Sequence, residues 1–149
     1  MAIRMEAVRY SEDLSQYYMN ELVPMADQIY RFAYALTLNA EGAMKLTEWS
    51  YIEVTSELDQ LKSGNGGLAR LLSHSWSRIQ QMKSVPWKAD ESVISRCMQG
   101  WPLKARAMFA AVDILGLTIN DVKEAFSWDD KCLDDLALAR RGLVELNMT

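Results

Sequence analysis

Apolar side chains recur at helical spacing along most of the chain, and no stretch of useful length alternates between apolar and polar residues as a half-buried strand does. The strongest pattern lies between Met25 and Leu38, where Ile29, Phe32 and Leu36 would share one face of a helix. Such a face has to be buried against other helices. The spacing therefore predicts an all-α protein.

A glycine-rich turn divides the first half of this pattern. The sequence Ser63-Gly64-Asn65-Gly66-Gly67 contains several residues that tolerate a positive φ, so it predicts a tight loop. We expect a helix from Ala40 to about Leu61 before this loop, with Asn39 as its N-cap. Another helix is predicted from Leu68 to Lys83 after it.

A second break occurs at residues 84–90, where a proline and several polar residues interrupt the helical spacing. Asp90 ends the break and is predicted to cap the next helix. Such a stretch is typical of a short linker between helical domains. We therefore predict a helical domain over residues 1–83, a linker over 84–90 and a second domain over 91–149.

The end of the second domain has the pattern of a helix-turn-helix. Thr118 and Asp121 form a capping-box start, and a second apolar-periodic run extends from Asp130 to Leu146. In DNA-binding versions of this motif, the second helix enters the major groove. The charges here argue against that role, because carboxylates are repelled by phosphates. Lys131 is the one basic residue at the start of this second helix. The acidic residues there are Asp129, Asp130, Asp134 and Asp135.

The overall charge supports the same conclusion. The chain of 149 residues carries 16 basic and 20 acidic side chains and a formal charge of −4, which disfavours a surface built mainly to bind nucleic acid. The start at Met1–Met5 lacks the pattern of a signal peptide, and no apolar run is long enough to span a bilayer. We therefore expect a cytoplasmic protein with no membrane association.

The residues that usually carry chemistry are sparse. Cys97 and Cys132 are far apart in sequence and have no metal-spaced companions, so we expect two reduced cysteines and no zinc site. His74 is the single histidine and is expected to lie on a solvated helix surface. With no phosphate-binding loop and no acid–base constellation, the sequence predicts neither an enzyme, a small-molecule substrate nor a cofactor.

Two stretches together resemble the extracytoplasmic-function (ECF) sigma factors, which are small two-domain transcription initiation subunits. Residues Ile29–Tyr51 are similar in spacing and apolar positions to the helix pair of region 2 of that family. Residues Trp101–Thr118, continued by Val122–Phe126 and Leu136–Leu143, are similar to region 4. The resemblance implies a region-2-like helical bundle followed by a region-4-like helix-turn-helix domain.

The chain departs from the family pattern at both functional surfaces. Gly42-Ala43-Met44-Lys45 stands where family members carry an acidic segment used against the polymerase clamp. Ser127 replaces the glycine of the helix-turn-helix turn, and Leu133-Asp134-Asp135 replaces a Lys-Ser-Arg type recognition sequence. The resemblance therefore implies that the apolar scaffold is kept while promoter reading is weak or absent.

These departures lead to one leading hypothesis and two alternatives. The leading hypothesis is a divergent sigma-like regulator that contacts an anti-sigma factor or the RNA polymerase core, as do the sigma-like domains of general-stress-response regulators that titrate an anti-sigma factor. The first alternative is a functional ECF sigma factor with unusual promoter contacts. The second is a helical adaptor unrelated to transcription, since the resemblance rests mainly on apolar spacing.

Candidate partner-binding residues are those that sequence patterns do not bury locally. Trp87 in the linker and Trp128 in the predicted turn are candidates for interdomain or partner contacts. The four aspartates that begin the last helix are either a solvated helix start, favoured by the helix dipole, or a surface for a basic partner. These aspartates are Asp129, Asp130, Asp134 and Asp135.

Two further groups complete the candidate sites. Met44, Lys45 and Glu48 would lie on the surface of the region-2-like helix that a polymerase or anti-sigma partner contacts. Arg140 and Arg141 are the nucleic-acid candidates, and their other interpretation is a solvated face near a helix C-terminus.

Overall fold

The computed structural model describes residues 12–64 and 66–148, and within these ranges the regular structure is entirely helical. The prediction of an all-α protein is confirmed. Asn65 of the predicted glycine-rich turn and the N-terminal stretch that lacks a signal pattern lie outside the described residues.

The first half folds as a succession of helices with short irregular joints. Helix α1 covers residues 12–17 and continues through a π-helical turn and a 3-10 turn that contains Pro24. A second 3-10 turn, Thr55–Glu57, interrupts the helix predicted from Ala40 to Leu61 and separates α3 from α4. The helices after α1 are α2 (Ala26–Thr37), α3 (Ala40–Val54), α4 (Leu58–Ser63) and α5 (Gly67–Gln81).

The second half begins after an extended stretch and ends in the longest helix of the described chain. The π-helical turn Ala110–Ile114 extends α7, and Gly116 just beyond it has a φ of 77°, which lets the chain reverse. The helices are α6 (Val93–Met98), α7 (Leu103–Phe109), α8 (Ile119–Phe126) and α9 (Cys132–Met148).

Helix α2 supplies much of the core. Ile29, Phe32 and Leu36 follow helical spacing and are almost fully buried, as the apolar pattern predicts. The helix ends because Leu38 adopts the left-handed conformation, with φ 53° and ψ 31°, and its amide donates to the carbonyl of Tyr34. Burial of the Leu38 side chain offsets the strain of this conformation in a residue that is not glycine.

The helix caps follow the sequence prediction at two places and depart from it at a third. Asn39 accepts a hydrogen bond from the Gly42 amide, and Thr118 accepts one from the Asp121 amide, so both predicted N-caps are confirmed. The prediction that Asp90 caps the following helix is wrong. Ser92 caps α6, and the Asp90 carboxylate is directed at the start of α3 instead.

Asp90 instead binds the start of α3. Its Oδ2 accepts a hydrogen bond from the Ala40 amide at 2.9 Å, and its Oδ1 accepts one from Asn39 Nδ2 at 3.2 Å. The Asp90 amide donates to the carbonyl of Leu38 at 2.6 Å. The end of the linker is therefore fixed to the joint between α2 and α3.

One hydrophobic core passes through both halves. Helix α2 packs against α3, α5 and α7, while α5 also contacts α8 and α7 packs on α9. Phe32 and Trp76 from the first half meet Phe126 from the second at ring-centroid distances of 5.7 and 6.2 Å. Arg106 Nη2 adds a polar link by donating to the carbonyl of Leu36 at 3.2 Å. The division into domains at residues 84–90 stays a prediction.

Candidate functional site

Trp128, proposed from its place in a turn, is held against the first half of the chain. Its ring stacks on Phe126 at a centroid distance of 4.6 Å and meets Trp76 edge-on at 5.2 Å. Lys104 Nζ lies 4.9 Å from the centroid of the same ring, close enough for a cation–π contact. Trp128 therefore contributes to the packing between α5 and the α8–α9 unit.

The turn between α8 and α9 places the aspartates. Ser127 takes the left-handed conformation, with φ 54°, at the position where the resembled family has glycine. Asp129 Oδ1 then accepts a hydrogen bond from the Lys131 amide, which closes a tight local turn. Helix α9 begins at Cys132, so Asp129 and the predicted first residue Asp130 both precede it.

The four aspartates of this turn and helix start, Asp129, Asp130, Asp134 and Asp135, form what we call the acidic surface. Asp130 is exposed and pairs with Lys123, whose hydrogen bond and charge lower the pKa of this carboxyl below its ordinary value. Asp135 Oδ2 lies 3.8 Å from Lys104 Nζ. Asp134 is exposed and forms no ion pair with any described residue. Lys123 and Lys104 are thus engaged with acids of this surface, whereas the exposed Lys131 forms no ion pair with the described residues.

The two arginines proposed as nucleic-acid contacts lie further along α9 and differ in their surroundings. Arg140 makes a forked pair with Asp113, with N–O distances of 2.8 and 3.0 Å, so its donors are directed at a carboxylate of its own chain. Arg141 is exposed and lines an open groove between α6 and α9 together with Arg96 and Glu145. Only Arg141 presents its charge outward.

The candidates on α3 form a separate surface. Met44, Lys45 and Glu48 are all exposed, and Lys45 pairs with Glu41 one turn earlier at 3.3 Å. Lys45 and Glu48 border a groove whose wall includes Trp87 of the linker. The structure thus brings Trp87 next to these α3 residues, whereas Trp128 and the acidic surface belong to the α8–α9 unit.

Trp87 reaches α3 because Gly42 has no side chain. A Cβ atom built at Gly42 would lie 2.6 Å from Trp87 Cδ2 and 3.0 Å from its Cγ. Asn39 Nδ2 donates to the neighbouring carbonyl of Lys88 at 2.8 Å and holds the linker in the same place. The linker tryptophan is therefore half-buried within its own chain.

Sequence reasoning missed one polar cluster. His74, expected on a solvated surface, is only 14% exposed and hydrogen-bonds through Nε2 to Glu57, so that expectation is wrong. Arg70 Nε donates to the other oxygen of the same carboxylate at 2.5 Å. The i, i+4 spacing of Arg70 and His74 on one helix face was the signal available in the sequence. Their acidic partner, Glu57, lies in the 3-10 turn that precedes α4.

Neither cysteine has a bonded partner. Cys132 is fully buried at the start of α9, and burial raises the pKa of its thiol. Cys97 is half-buried on α6. Within residues 12–64 and 66–148, no cluster of three side chains has the composition of a metal site, and no helix is long and apolar enough to cross a bilayer.

Over the residues that the structure describes, the fold defines an all-helical protein. Comparison with protein-family models, with curated proteins and with solved structures gives no match to this chain.

Proposed function

We propose that this chain is a divergent sigma-like regulator that acts in transcription through protein contacts and binds promoter DNA weakly or not at all. The single observation that carries the proposal is the acidic surface at the start of α9. That is the end of the helix at which a helix-turn-helix protein reads bases. A carboxylate cluster there opposes the approach of phosphates while leaving the helix free to meet a basic protein surface.

The cations around this surface support the same function. Lys123 pairs with Asp130, Lys104 lies against Asp135 and Trp128, and Arg140 is forked onto Asp113. Each of these pairs would have to separate, or turn outward, before its cation could contact a phosphate. A DNA-binding surface gains its affinity from cations that are free to replace counterions. The α8–α9 unit retains few such cations.

The buried positions support the resemblance at the level of the scaffold. Phe32 and Leu36 in the region-2-like stretch and Met108, Val122 and Phe126 in the region-4-like stretch are all in the core. Most departures from the family pattern fall on exposed positions, namely Met44, Lys45, Ser127, Leu133 and Asp134, whereas Gly42 and Ala43 are buried. A mimic of the family would keep its shape and change its surface in this way.

The first experiment tests promoter use directly. The full chain is incubated with bacterial core RNA polymerase and a pool of promoter DNA, and productive initiation is measured. We expect no start-site selection above the level given by core polymerase alone. Robust, position-specific initiation would replace the proposal with the alternative of a functional ECF sigma factor.

The second experiment tests the partner. Transcription by an ECF sigma factor is inhibited with its anti-sigma factor, both from the organism that supplies this chain, and the chain is then added. We expect dose-dependent recovery of transcription, which the double variant Asp129→Asn with Asp134→Asn should weaken. The matched control Asp59→Asn changes an exposed acid on α4 and should act like the unmodified chain. Failure to bind either the anti-sigma factor or core polymerase would favour the adaptor alternative.

A further inference from the structure

A cleft of 620 Å³ lies where the ends of α2 and α5 meet the linker and α7. Most of its lining residues are apolar, polar groups contribute part of its surface, and its volume is in the range of sites that bind small molecules. The cleft is distinct from the acidic surface. The apolar side chains that line it include Leu36, Leu38, Ile79, Val85, Trp87 and Leu103.

Arg106 projects from α7 into the lining of this cleft. One hydrogen bond, from Nη2 to the Leu36 carbonyl, is its polar contact with the described residues. Its Nε is buried, and no atom of the described chain accepts a hydrogen bond from it. Burial lowers the pKa of Arg106, but a guanidinium keeps its charge at neutral pH. The cleft therefore holds a cation without a counter-ion from the described part of the chain.

The other polar groups of the lining are neutral. Thr37 uses its hydroxyl within the chain, since it donates to the carbonyls of Ala33 and Asn39. Gln80 and Gln99 contribute amides at the rim, and none of the residues that line the cleft is acidic. Because a partly buried charge is costly without a partner, the group that best complements this site is a single anion. Apolar walls require that the anion be attached to an apolar body.

We propose that the cleft binds a small amphipathic monocarboxylate, with its carboxylate on the Arg106 guanidinium and its hydrocarbon part against the apolar walls. A guanidinium matches the planar carboxylate and pairs with it more strongly than with a neutral amide. This inference is independent of the proposed function, because it depends only on the cleft and Arg106. Occupation would bridge the end of α2, the linker and α7.

The test uses octanoate as the probe and octanamide as its neutral counterpart. Binding to the full chain is measured by titration calorimetry and by the NMR signal of the Arg106 Nε–H group. We expect octanoate to bind at least about tenfold more tightly than octanamide, because a charge-assisted pair is replaced by a neutral one. Octanoate, but not octanamide, should shift the Arg106 signal.

Two matched variants test whether octanoate binds in this cleft. Gln80→Glu adds a carboxylate to the rim of the cleft, whereas Gln81→Glu adds the same charge at the adjacent exposed position, outside the lining. We expect the first variant to weaken octanoate binding at least about threefold and the second to change it by less than about twofold, since Coulomb repulsion falls with distance. Arg106→Gln should abolish the preference for octanoate. If Arg106→Gln does not fold, the Gln80 and Gln81 pair still decides the outcome.

Four results would overturn the proposal. The first is equal affinity for octanoate and octanamide, and the second is an equal response to the two glutamate variants. The third is no octanoate binding at about 10 mM, a concentration that detects even weak sites. Binding of an acidic, apolar helical peptide without any binding of octanoate would also overturn it, because the site would then serve a protein side chain.

Discussion

Phe32 of α2 and Phe126 of α8 stack nearly parallel, with an interplanar angle of 10° and ring centroids 5.7 Å apart. The two residues belong to the two halves of the sequence, on either side of the linker. Both rings are buried, and Trp76 of α5 meets Phe126 edge-on. The contact makes the stability of each half depend on the other.

Phe126→Ala should therefore weaken the whole chain and not only the α8–α9 unit. We expect a loss of about 3 kcal/mol in the free energy of unfolding, which is typical of a buried phenylalanine. Urea unfolding followed by circular dichroism and by tryptophan fluorescence measures it. The control Leu133→Ala removes a side chain that is 41% exposed and should cost less than about 1 kcal/mol. A small loss for Phe126→Ala would show that the two halves are stable separately.

Asp90→Ala tests the attachment of the linker to α3. The variant removes a carboxylate that accepts from the Ala40 amide and from Asn39 at the N-terminus of that helix. We expect a loss of about 1 kcal/mol, as for other N-terminal caps, measured by thermal or urea unfolding. Glu91→Ala removes the adjacent exposed acid and should have almost no effect. Equal effects of the two variants would contradict a capping role for Asp90.

The caps show which parts of the fold could be predicted from the sequence. Asn39 and Thr118 were identified correctly because each cap and the amide it binds lie three residues apart. Asp90 was assigned to the wrong helix because its acceptor atoms serve an amide 50 positions earlier in the chain. Sequence spacing describes local hydrogen bonds well and contains no information about such distant ones.

The same distinction applies to the candidate site. The acidic surface could be located from sequence, because its members are neighbours on one turn and one helix. The positions of Trp87 and Trp128 could not be predicted from the sequence. Trp87 contacts Gly42, and Trp128 contacts Trp76, only because helices that are distant in the sequence pack together. No sequence pattern singled out Arg106 as a candidate binding residue. Its position in a cleft depends on how α2, α5 and α7 meet.

Gly42→Ala tests the contact between α3 and the linker. Alanine favours a helix over glycine by about 1 kcal/mol, but its Cβ would overlap the ring of Trp87. We expect the overlap to dominate, so that the variant is less stable than the unmodified chain in urea unfolding. In a Trp87→Leu background only the helix preference remains, and Gly42→Ala should then be stabilising. The same sign in both backgrounds would exclude a close contact between Gly42 and Trp87.

The Glu57 cluster predicts a pH dependence of stability. Burial by itself raises the pKa of Glu57, but the hydrogen bonds and charges of His74 and Arg70 outweigh it and lower that pKa below the ordinary value of 4.5. A carboxyl whose folded pKa is lowered stabilises the fold above its unfolded pKa. That contribution is lost as the pH falls through the folded value.

Glu57→Gln should therefore cost about 1 kcal/mol at pH 7, in line with a partly buried charged hydrogen bond. The difference from the unmodified chain should persist down to about pH 5 and shrink below the ordinary glutamate pKa. Urea unfolding at a series of pH values measures it. Glu53→Gln, on the preceding helix, is the control. A difference that grows as the pH falls through the ordinary glutamate pKa of 4.5 would contradict the sign derived from the cluster.

Charge reversal at Asp134 should give the chain some affinity for DNA. Asp134 is exposed at the start of α9 and forms no ion pair with the described residues, so Asp134→Lys adds a free cation without breaking a contact. We expect weak, sequence-independent binding that falls steeply with salt, because cations act by releasing counterions from the phosphates. Fluorescence anisotropy with a labelled duplex measures it. Asp59→Lys makes the same charge change on α4, and an equal gain there would show that total charge, and not the acidic surface, keeps DNA away.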